Sequence, residues 1–182
     1  TAITLELIRQ LAITQKYKVL FYNLEMSNDQ LMERILCSQA KVPYQTVLGR
    51  EPGETLPEEV WAKIMNAASA IYEAPLKMSD KVFQIDLMCN EIRREKNKGN
   101  VDILFIDYMQ LIEATENFHN NQECVQYVSR RLKLLAKELE IPIVALAQLN
   151  RSVEGRNDKR PMMSDLRDSG AIEQDADLIM ML

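Results

Sequence analysis

The chain has 182 residues, 47% of them hydrophobic, which is one domain's worth of length with enough apolar residues for a sizeable core, so a disordered or collagen-like chain is excluded. Its 22 basic and 27 acidic side chains give a net charge of −5, which excludes a protein that coats nucleic acid by charge alone. Three widely spaced cysteines indicate a reducing, cytosolic compartment, and no apolar run approaches the roughly 18 residues that cross a bilayer.

The first elements along the chain are predicted to be a helix, a strand and a helix. Apolar residues fall on one helical face from Leu5 through Ile13. The segment 19–24 is short, β-rich and almost entirely apolar, which is typical of a strand buried on both faces. Ser27 and Gln30 then have the spacing of a capping box, which predicts a helix through about Lys41.

Two more helices are predicted in the middle of the chain, with a possible short strand at 76–78 between them. Thr55 and Glu58, with Pro57 in the first turn, mark the start of the first helix. The second covers 84–98 and is amphipathic. Its expected inward-facing residues are Ile85, Leu87, Met88 and Ile92.

The rest of the chain alternates strands with a long helix. A buried strand over 101–106 ends on Asp107, a helix covers 122–140, and a third buried strand covers 141–146. A polar loop from Gln148 to about Asp168 leads to a last strand at 177–182. Because long helices separate the strands, crossover connections are required. The predicted fold is therefore α/β, with a mainly parallel sheet and helices on both faces.

Polar residues at three strand ends are the candidates for chemistry, because ligands of open parallel sheets bind there. Asp107 can hold the water shell of Mg²⁺ beside nucleotide phosphates, or simply cap the next turn. Glu25 can act as a general base on a water molecule, or interact with the helix that Ser27 opens. Gln148 can hydrogen-bond a γ-phosphate, or be a solvated turn residue.

The loop over 150–170 is the second candidate region. It carries five basic and four acidic residues, so it is not a basic patch. A long polar loop that leaves a strand end is nevertheless more often functional than structural. The basic residues at 130, 131, 133 and 137 are a weaker candidate, because charges along a helix usually form its solvated face.

Four segments together resemble the C-terminal RecA-like ATPase domain of DnaB-type replicative helicases. They are Phe-Tyr-Asn-Leu-Glu-Met-Ser at 21–27, Phe-Ile-Asp-Tyr-Met-Gln-Leu at 105–111, Ala-Gln-Leu-Asn-Arg-Ser at 147–152, and the long segment from Arg160 to Asp177. Order and spacing agree over nearly the whole chain. The last segment is long and particular to this family, so it carries most of the resemblance.

The resemblance implies a RecA-like P-loop NTPase core and a role for each strand-end residue. Glu25 corresponds to the catalytic glutamate, Asp107 to the Walker B carboxylate and Gln148 to the γ-phosphate sensor. Thr1 falls at the position of the Walker A threonine, so ATP and Mg²⁺ are expected near Thr1 and Asp107. The glycine-rich loop is expected just upstream of Thr1 and the arginine finger beyond position 182, so the chain is interpreted as one domain truncated at both ends.

The resemblance also implies DNA and protein partners. Arg167, Asp168 and Gly170 correspond to a loop that grips single-stranded DNA in the channel of a homo-hexameric ring, and Arg160 is expected to add phosphate contacts. Six such loops converging on one strand need no basic outer surface, which reconciles the acidic charge with a DNA partner. Primase and a helicase loader are expected to bind through parts outside these residues. The expected location is the cytoplasm, at the replication fork, without a membrane partner.

Two other hypotheses remain open on the sequence. A RecA-like recombination or circadian-clock type ATPase shares the strand-end carboxylates, but it lacks the segment at 165–177. A binding module that docks on a helicase ring or loader without hydrolysing ATP is the non-enzymatic alternative. Retention of Glu25, Asp107 and Gln148 argues against it, since a protein without turnover has no physical need for all three.

Overall fold

The computed structural model describes residues 1–48, 55–116, 118–150, 153, 155–156 and 158–181, without the side chains at 48 and 167–171. Four strands are present in this part of the chain: β1 (Val19–Asn23), β2 (Leu76–Ser79), β3 (Ile103–Asp107) and β4 (Ile143–Ala145). The helices are α1 (Ala2–Ile8), α2 (Asn28–Ala40), α3 (Tyr44–Leu48), α4 (Glu58–Tyr72), α5 (Ile85–Asn97), α6 (Asn121–Leu139) and α7 (Gly170–Asp175). A π-helical segment, Arg9–Thr14, continues α1, and 3₁₀ segments cover Met109–Leu111 and Met163–Ser169.

The strands form one sheet in the order β2-β1-β3-β4, and every neighbouring pair is parallel. Each connection between strands passes through at least one helix, as parallel neighbours require. The predicted α/β class and parallel sheet are confirmed. No helix among the described residues has the length and apolar character needed to span a membrane.

Both faces of the sheet are covered, because alternate residues of β1 and β3 point to opposite sides. Leu20, Tyr22, Leu104 and Ile106 pack into one core cluster with α5 and α6. Val19, Phe21 and Phe105 pack into a second cluster with α1 and α2. All five residues of β1 are buried, so its continuous apolar pattern is explained by contact on both faces.

The helix boundaries agree with the sequence at α2 and differ at α4. Both bonds of the predicted capping box form in α2: Ser27 Oγ accepts from the Gln30 N–H, and Gln30 Oε1 accepts from the Ser27 N–H. In α4 the helix begins at Glu58, and Pro57 is the N-cap without a side-chain hydrogen bond. The prediction that Thr55 marks the start of this helix is therefore wrong.

Two further predictions about burial are wrong, for reasons of geometry. Leu87 is 57% exposed, because Ile85, Met88 and Ile92 define the buried stripe of α5 and position 87 lies off that stripe. The third strand is only partly buried, because β4 has three residues and lies at the edge of the sheet, beside β3 alone among the described strands.

The last predicted strand does not form in the described residues 177–181. The Asp177 carboxylate forms an exposed ion pair with Lys133 of α6. Leu178 is 77% exposed and Met180 is 66% exposed. An apolar run that would suit a buried strand therefore lies in solvent here.

Candidate functional site

The carboxyl ends of β1, β3 and β4 lie at one edge of the sheet. Asn23 and Asp107 are partners in the parallel register of β1 and β3, and β4 runs in the same direction beside β3. Glu25 follows β1 by two residues, Asp107 ends β3, and Gln148 follows β4 by three residues. The three residues predicted from the sequence therefore come to the same edge, which is where open parallel sheets bind ligands.

Asp107 is 2% exposed, and its Oδ2 atom is buried without a hydrogen-bond partner among the described residues. Its main-chain carbonyl accepts a 2.8 Å hydrogen bond from the Leu24 N–H, which ties the ends of β1 and β3 together. The backbone nitrogen of Thr1 lies 3.9 Å from Asp107 Oδ2, so the predicted metal-site residues are neighbours.

A buried carboxylate oxygen that lacks a donor suits a divalent cation, because Mg²⁺ takes oxygen ligands and is usually held by one or two carboxylates, phosphates and waters. No group of three or more His, Cys, Asp or Glu side chains that could hold a metal occurs in the described part of the chain. Asp107 with Thr1 therefore fits Mg²⁺ brought with a nucleotide, whereas an all-protein metal cage does not occur among these residues.

Glu25 lies on the turn between β1 and α2, and the Asn23 side chain holds this turn. Asn23 Oδ1 accepts from the Met26 N–H at 3.3 Å, and Asn23 Nδ2 donates to the Met26 carbonyl. Asn23 is fully buried, whereas Glu25 is exposed. Among the described residues no hydrogen bond or ion pair engages the Glu25 carboxylate, so it is available to a ligand at this edge.

Glu25 does not interact with the start of α2, which was its alternative role. Ser27 and Gln30 cap that helix, and the Asn28 N–H donates to Asp80 Oδ2 at 3.0 Å. These side chains satisfy the first N–H groups of the helix, which otherwise lack intrahelical partners. Glu25 takes no part in this capping.

Gln148 is exposed, and its backbone is held on both sides by the Gln110 side chain. Gln110 Oε1 accepts from the Gln148 N–H at 3.2 Å, and Gln110 Nε2 donates to the Gln148 carbonyl at 3.1 Å. The sequence did not predict a role for Asn23 or Gln110, because a side-chain amide that hydrogen-bonds to a peptide group leaves no periodic pattern in a sequence. The available signal is their position at or just past an apolar strand that ends in a polar residue.

Asp165 accepts three hydrogen bonds from the segment that follows Gln148. It is 4% exposed; Oδ2 accepts from the Met162 N–H at 2.7 Å and from Arg156 Nη2 at 2.6 Å, and its carbonyl accepts from the Asn150 N–H at 3.0 Å. Burial raises the pKa of Asp165, but the Met162 N–H and the Arg156 guanidinium outweigh it and lower the pKa below its ordinary value. The carboxylate thus stays charged and fixes the base of this segment.

The predicted DNA-binding residues lie on or beside this segment. Arg160 is exposed; its N–H donates to Asp158 and its carbonyl accepts from Arg156 Nη2. Arg167, Asp168 and Gly170 fall within the 3₁₀ segment Met163–Ser169 and the start of α7, so the expected loop is helical at these positions. Their side chains lie outside the described part of the chain.

The helices that carry these three residues are fixed to α6. Leu166 and Ile172 are buried, and the Ser129 hydroxyl on α6 donates to Asp175 Oδ2 at 2.9 Å. Arg130 forms an ion pair with the same carboxyl group at 3.3 Å. Buried apolar residues and the two bonds to Asp175 therefore hold a segment with the composition of a polar loop against α6.

Comparison with known sequences places these observations in one family. Residues 1–182 match the family model described as the DnaB-like helicase C terminal domain. The replicative DNA helicase DnaB of Geobacillus stearothermophilus is 40% identical over 187 residues, and a probable plasmid replicative DNA helicase of Chlamydia muridarum is 42% identical over 183. Each alignment covers 100% of this chain and 40% of the relative, so the chain spans less than half the length of these proteins.

Two solved structures share the fold. One is described as an ATPase domain; it superposes with a TM-score of 0.87 and 32% identity, covering 97% of this chain and 62% of that one. A DnaB-like replicative helicase, described with its interactions with primase, gives a TM-score of 0.89 and 32% identity, covering 97% of this chain and 42% of that one. The resemblance inferred from the sequence is confirmed, and the chain belongs to the DnaB-like helicase C-terminal domain family.

Proposed function

We propose that the chain is the motor part of a replicative DNA helicase, one RecA-like ATPase domain that hydrolyses ATP between subunits of a homo-hexameric ring and moves along single-stranded DNA to unwind duplex. The observation that carries the proposal is the meeting of Glu25, Asp107 and Gln148 at one sheet edge, with a buried oxygen of Asp107 left without a donor among the described residues. Family membership favours this function over a recombination or clock-type ATPase.

Each residue has a role that follows from its surroundings. Asp107 is held rigidly at the end of β3, so with Thr1 it would orient Mg²⁺, which supplies neutralisation of phosphate charge when bound. The exposed Glu25 carboxylate would take a proton from the attacking water at its Oε atoms. Gln148 would donate its side-chain amide to the γ-phosphate and report the loss of that contact.

The DNA-contacting part of the proposal rests on the segment after Gln148. Asn150 and Arg156 hydrogen-bond to Asp165. Asp165 lies in the 3₁₀ segment Met163–Ser169, which also contains Arg167. A change at Gln148 therefore has a short route to the segment that carries Arg167, Asp168 and Gly170: two residues along the chain to Asn150, then one hydrogen bond to Asp165. These residues, with Arg160, would contact the phosphates of single-stranded DNA, and the protein would work at the replication fork in the cytoplasm with primase and a loader as partners.

Glu25→Gln in the full-length protein tests the proposed function. The variant keeps the size of the side chain but cannot accept a proton, so nucleotide binding should persist while turnover falls about a hundredfold or more. ATPase activity is measured with and without single-stranded DNA, beside Arg167→Ala, in which we expect stimulation by DNA to be lost. Glu73→Gln, an exposed position at the end of α4, is the matched control.

Three results would contradict the proposal. Normal turnover in Glu25→Gln would remove its assignment as the general base. Full stimulation by DNA in Arg167→Ala would remove the proposed DNA contact. No ATPase activity of the unaltered protein under any condition would favour the binding module that docks on a helicase without hydrolysing ATP.

A further inference from the structure

The hydrogen-bond ladder between β3 and β4 continues past the ends of both strands. The Leu146 N–H donates to the Ile106 carbonyl, and the Met109 N–H donates to the Leu146 carbonyl, each at 2.9 Å. The main chain then turns into the 3₁₀ segment Met109–Leu111 and leaves the edge of β4. Past this point, no main-chain hydrogen bond joins Ala147 or Gln148 to the β3 side among the described residues.

The Gln110 side chain makes the two hydrogen bonds to Gln148 that the main chain of a neighbouring strand would otherwise make. Its carboxamide accepts from the Gln148 N–H and donates to the Gln148 carbonyl, as a peptide group of a neighbouring strand would. Among neutral side chains, only Asn and Gln supply a carbonyl acceptor and an NH₂ donor in one plane. Two bonds to one residue fix both its position and its orientation, whereas one bond would leave it free to rotate.

We infer that Gln110 is a positioning residue that holds Gln148 in register with Asp107, an inference that rests on the proposed role of Gln148. Gln110 lies three residues after Asp107, so one short stretch of backbone sets the separation between the carboxylate and the proposed phosphate contact. An error of about 1 Å in such a separation costs up to a hundredfold in rate. Gln110 is also connected to Asp165, because it holds Gln148, and two residues further along the chain the Asn150 N–H donates to the Asp165 carbonyl.

The surroundings of Gln110 indicate that its removal would release Gln148 without unfolding the protein. Gln110 is only partly buried, and it borders a cavity of about 170 Å³ that is also lined by Gln148, Asn121 and Asp165. The segment around Gln148 therefore has room to shift when the two hydrogen bonds are lost.

The test compares Gln110→Ala, Gln110→Glu, Gln148→Ala and the double variant Gln110→Ala with Gln148→Ala in the full-length protein. Gln110→Glu keeps the shape but loses the donor to the Gln148 carbonyl, so it carries the test should Gln110→Ala fail to fold. We expect kcat for DNA-stimulated ATP hydrolysis to fall about tenfold or more in both Gln110 variants, with KM within about twofold. In the Gln148→Ala background, Gln110→Ala should lower kcat by less than about twofold further.

The outcomes separate this inference from the proposed function. If Gln148→Ala is defective while both Gln110 variants turn over normally, or if the two losses multiply in the double variant, the positioning role is overturned and the role of Gln148 stands. If Gln148→Ala turns over normally with full DNA stimulation, both are overturned. Gln45→Ala, an exposed glutamine on α3, is the matched control and should behave as the unaltered protein does.

Discussion

Asn23→Asp exchanges one NH₂ group for an oxygen where β1 meets the turn that carries Glu25. Asn23 is fully buried, its Nδ2 donates to the Met26 carbonyl, and it faces Asp107 across the ladder. In the variant, an ionised carboxylate could not donate to Met26 and would lie beside a second buried carboxyl group. Burial and the like charge both oppose ionisation, so both raise the pKa of the substituted side chain above that of Asp in an unfolded chain.

The size of the effect follows from this pKa. A carboxyl group that stays protonated in the folded protein costs up to about 4 kcal/mol at pH 7 and about 1.5 kcal/mol at pH 5, since an unfolded Asp has a pKa near 3.9. Because the folded pKa is the higher one, the penalty is absent below about pH 4 and grows as the pH rises towards the folded pKa. The protonated form can still donate to Met26, so the turn is retained at low pH.

Urea unfolding of the full-length protein at pH 7 and pH 5, followed by circular dichroism, measures this penalty. Asn66→Asp, at an exposed position on α4, is the matched control and should change the free energy of unfolding by less than about 0.5 kcal/mol at either pH. A loss below about 1 kcal/mol at pH 7 in Asn23→Asp, or an equal loss at both pH values, would refute the reasoning about burial and charge at this edge.

Two more predictions concern charged groups. Hydrogen bonds from Asn100 and two half-exposed lysines lower the pKa of Glu95 from 4.5 to about 2, so its charge stabilises the fold above about pH 4.5 and that contribution is lost as the pH falls towards 2. Glu95→Gln should therefore cost about 1–2 kcal/mol at pH 7, after allowance for solvent screening, and less than about 0.5 kcal/mol near pH 2. Equal losses at the two pH values would contradict this expectation. Glu59→Gln, in an exposed ion pair on a helix, is the control for urea unfolding. Arg156→Ala removes a hydrogen-bond donor to Asp165. We expect this variant to lower the stimulation of ATPase activity by DNA about threefold or more, while basal ATPase activity changes less. Equal changes in stimulated and basal activity would count against a link between this segment and DNA.

The parts of the fold that could be predicted are those set by short-range patterns. Val19–Asn23 and Ile103–Asp107 are strands because continuous β-rich apolar runs suit a sheet covered on both faces. The capping box at Ser27 is equally local, and both of its bonds form. The strand-end rule then brought Glu25, Asp107 and Gln148 to one edge, without any knowledge of their side-chain contacts.

The parts that could not be predicted depend on contacts between distant segments. An apolar run at 177–182 has the composition of a strand, but its described residues 177–181 form no strand, and Leu178 and Met180 are exposed. Leu87 is a different case, because helix periodicity alone puts position 87 off the buried stripe of Ile85, Met88 and Ile92, so its exposure follows from the sequence. The residues around Arg167 are polar, and contacts of Leu166 and Ile172 with the core make them helical.

The three residues at this edge of the sheet are held in two different ways, by strand hydrogen bonds or by side-chain amides. Asp107 belongs to β3 itself: it pairs with Asn23 in the ladder to β1, and its carbonyl accepts from the Leu24 N–H. Glu25 and Gln148 lie beyond the strands, on turns held by the side-chain amides of Asn23 and Gln110. Two hydrogen bonds of about 1 kcal/mol each are far easier to break than a buried ladder. On the proposed function, a nucleotide at this edge would meet a carboxylate set in the sheet ladder and two residues held by a few side-chain bonds, and breaking those bonds is how a change of ligand would become a change of shape.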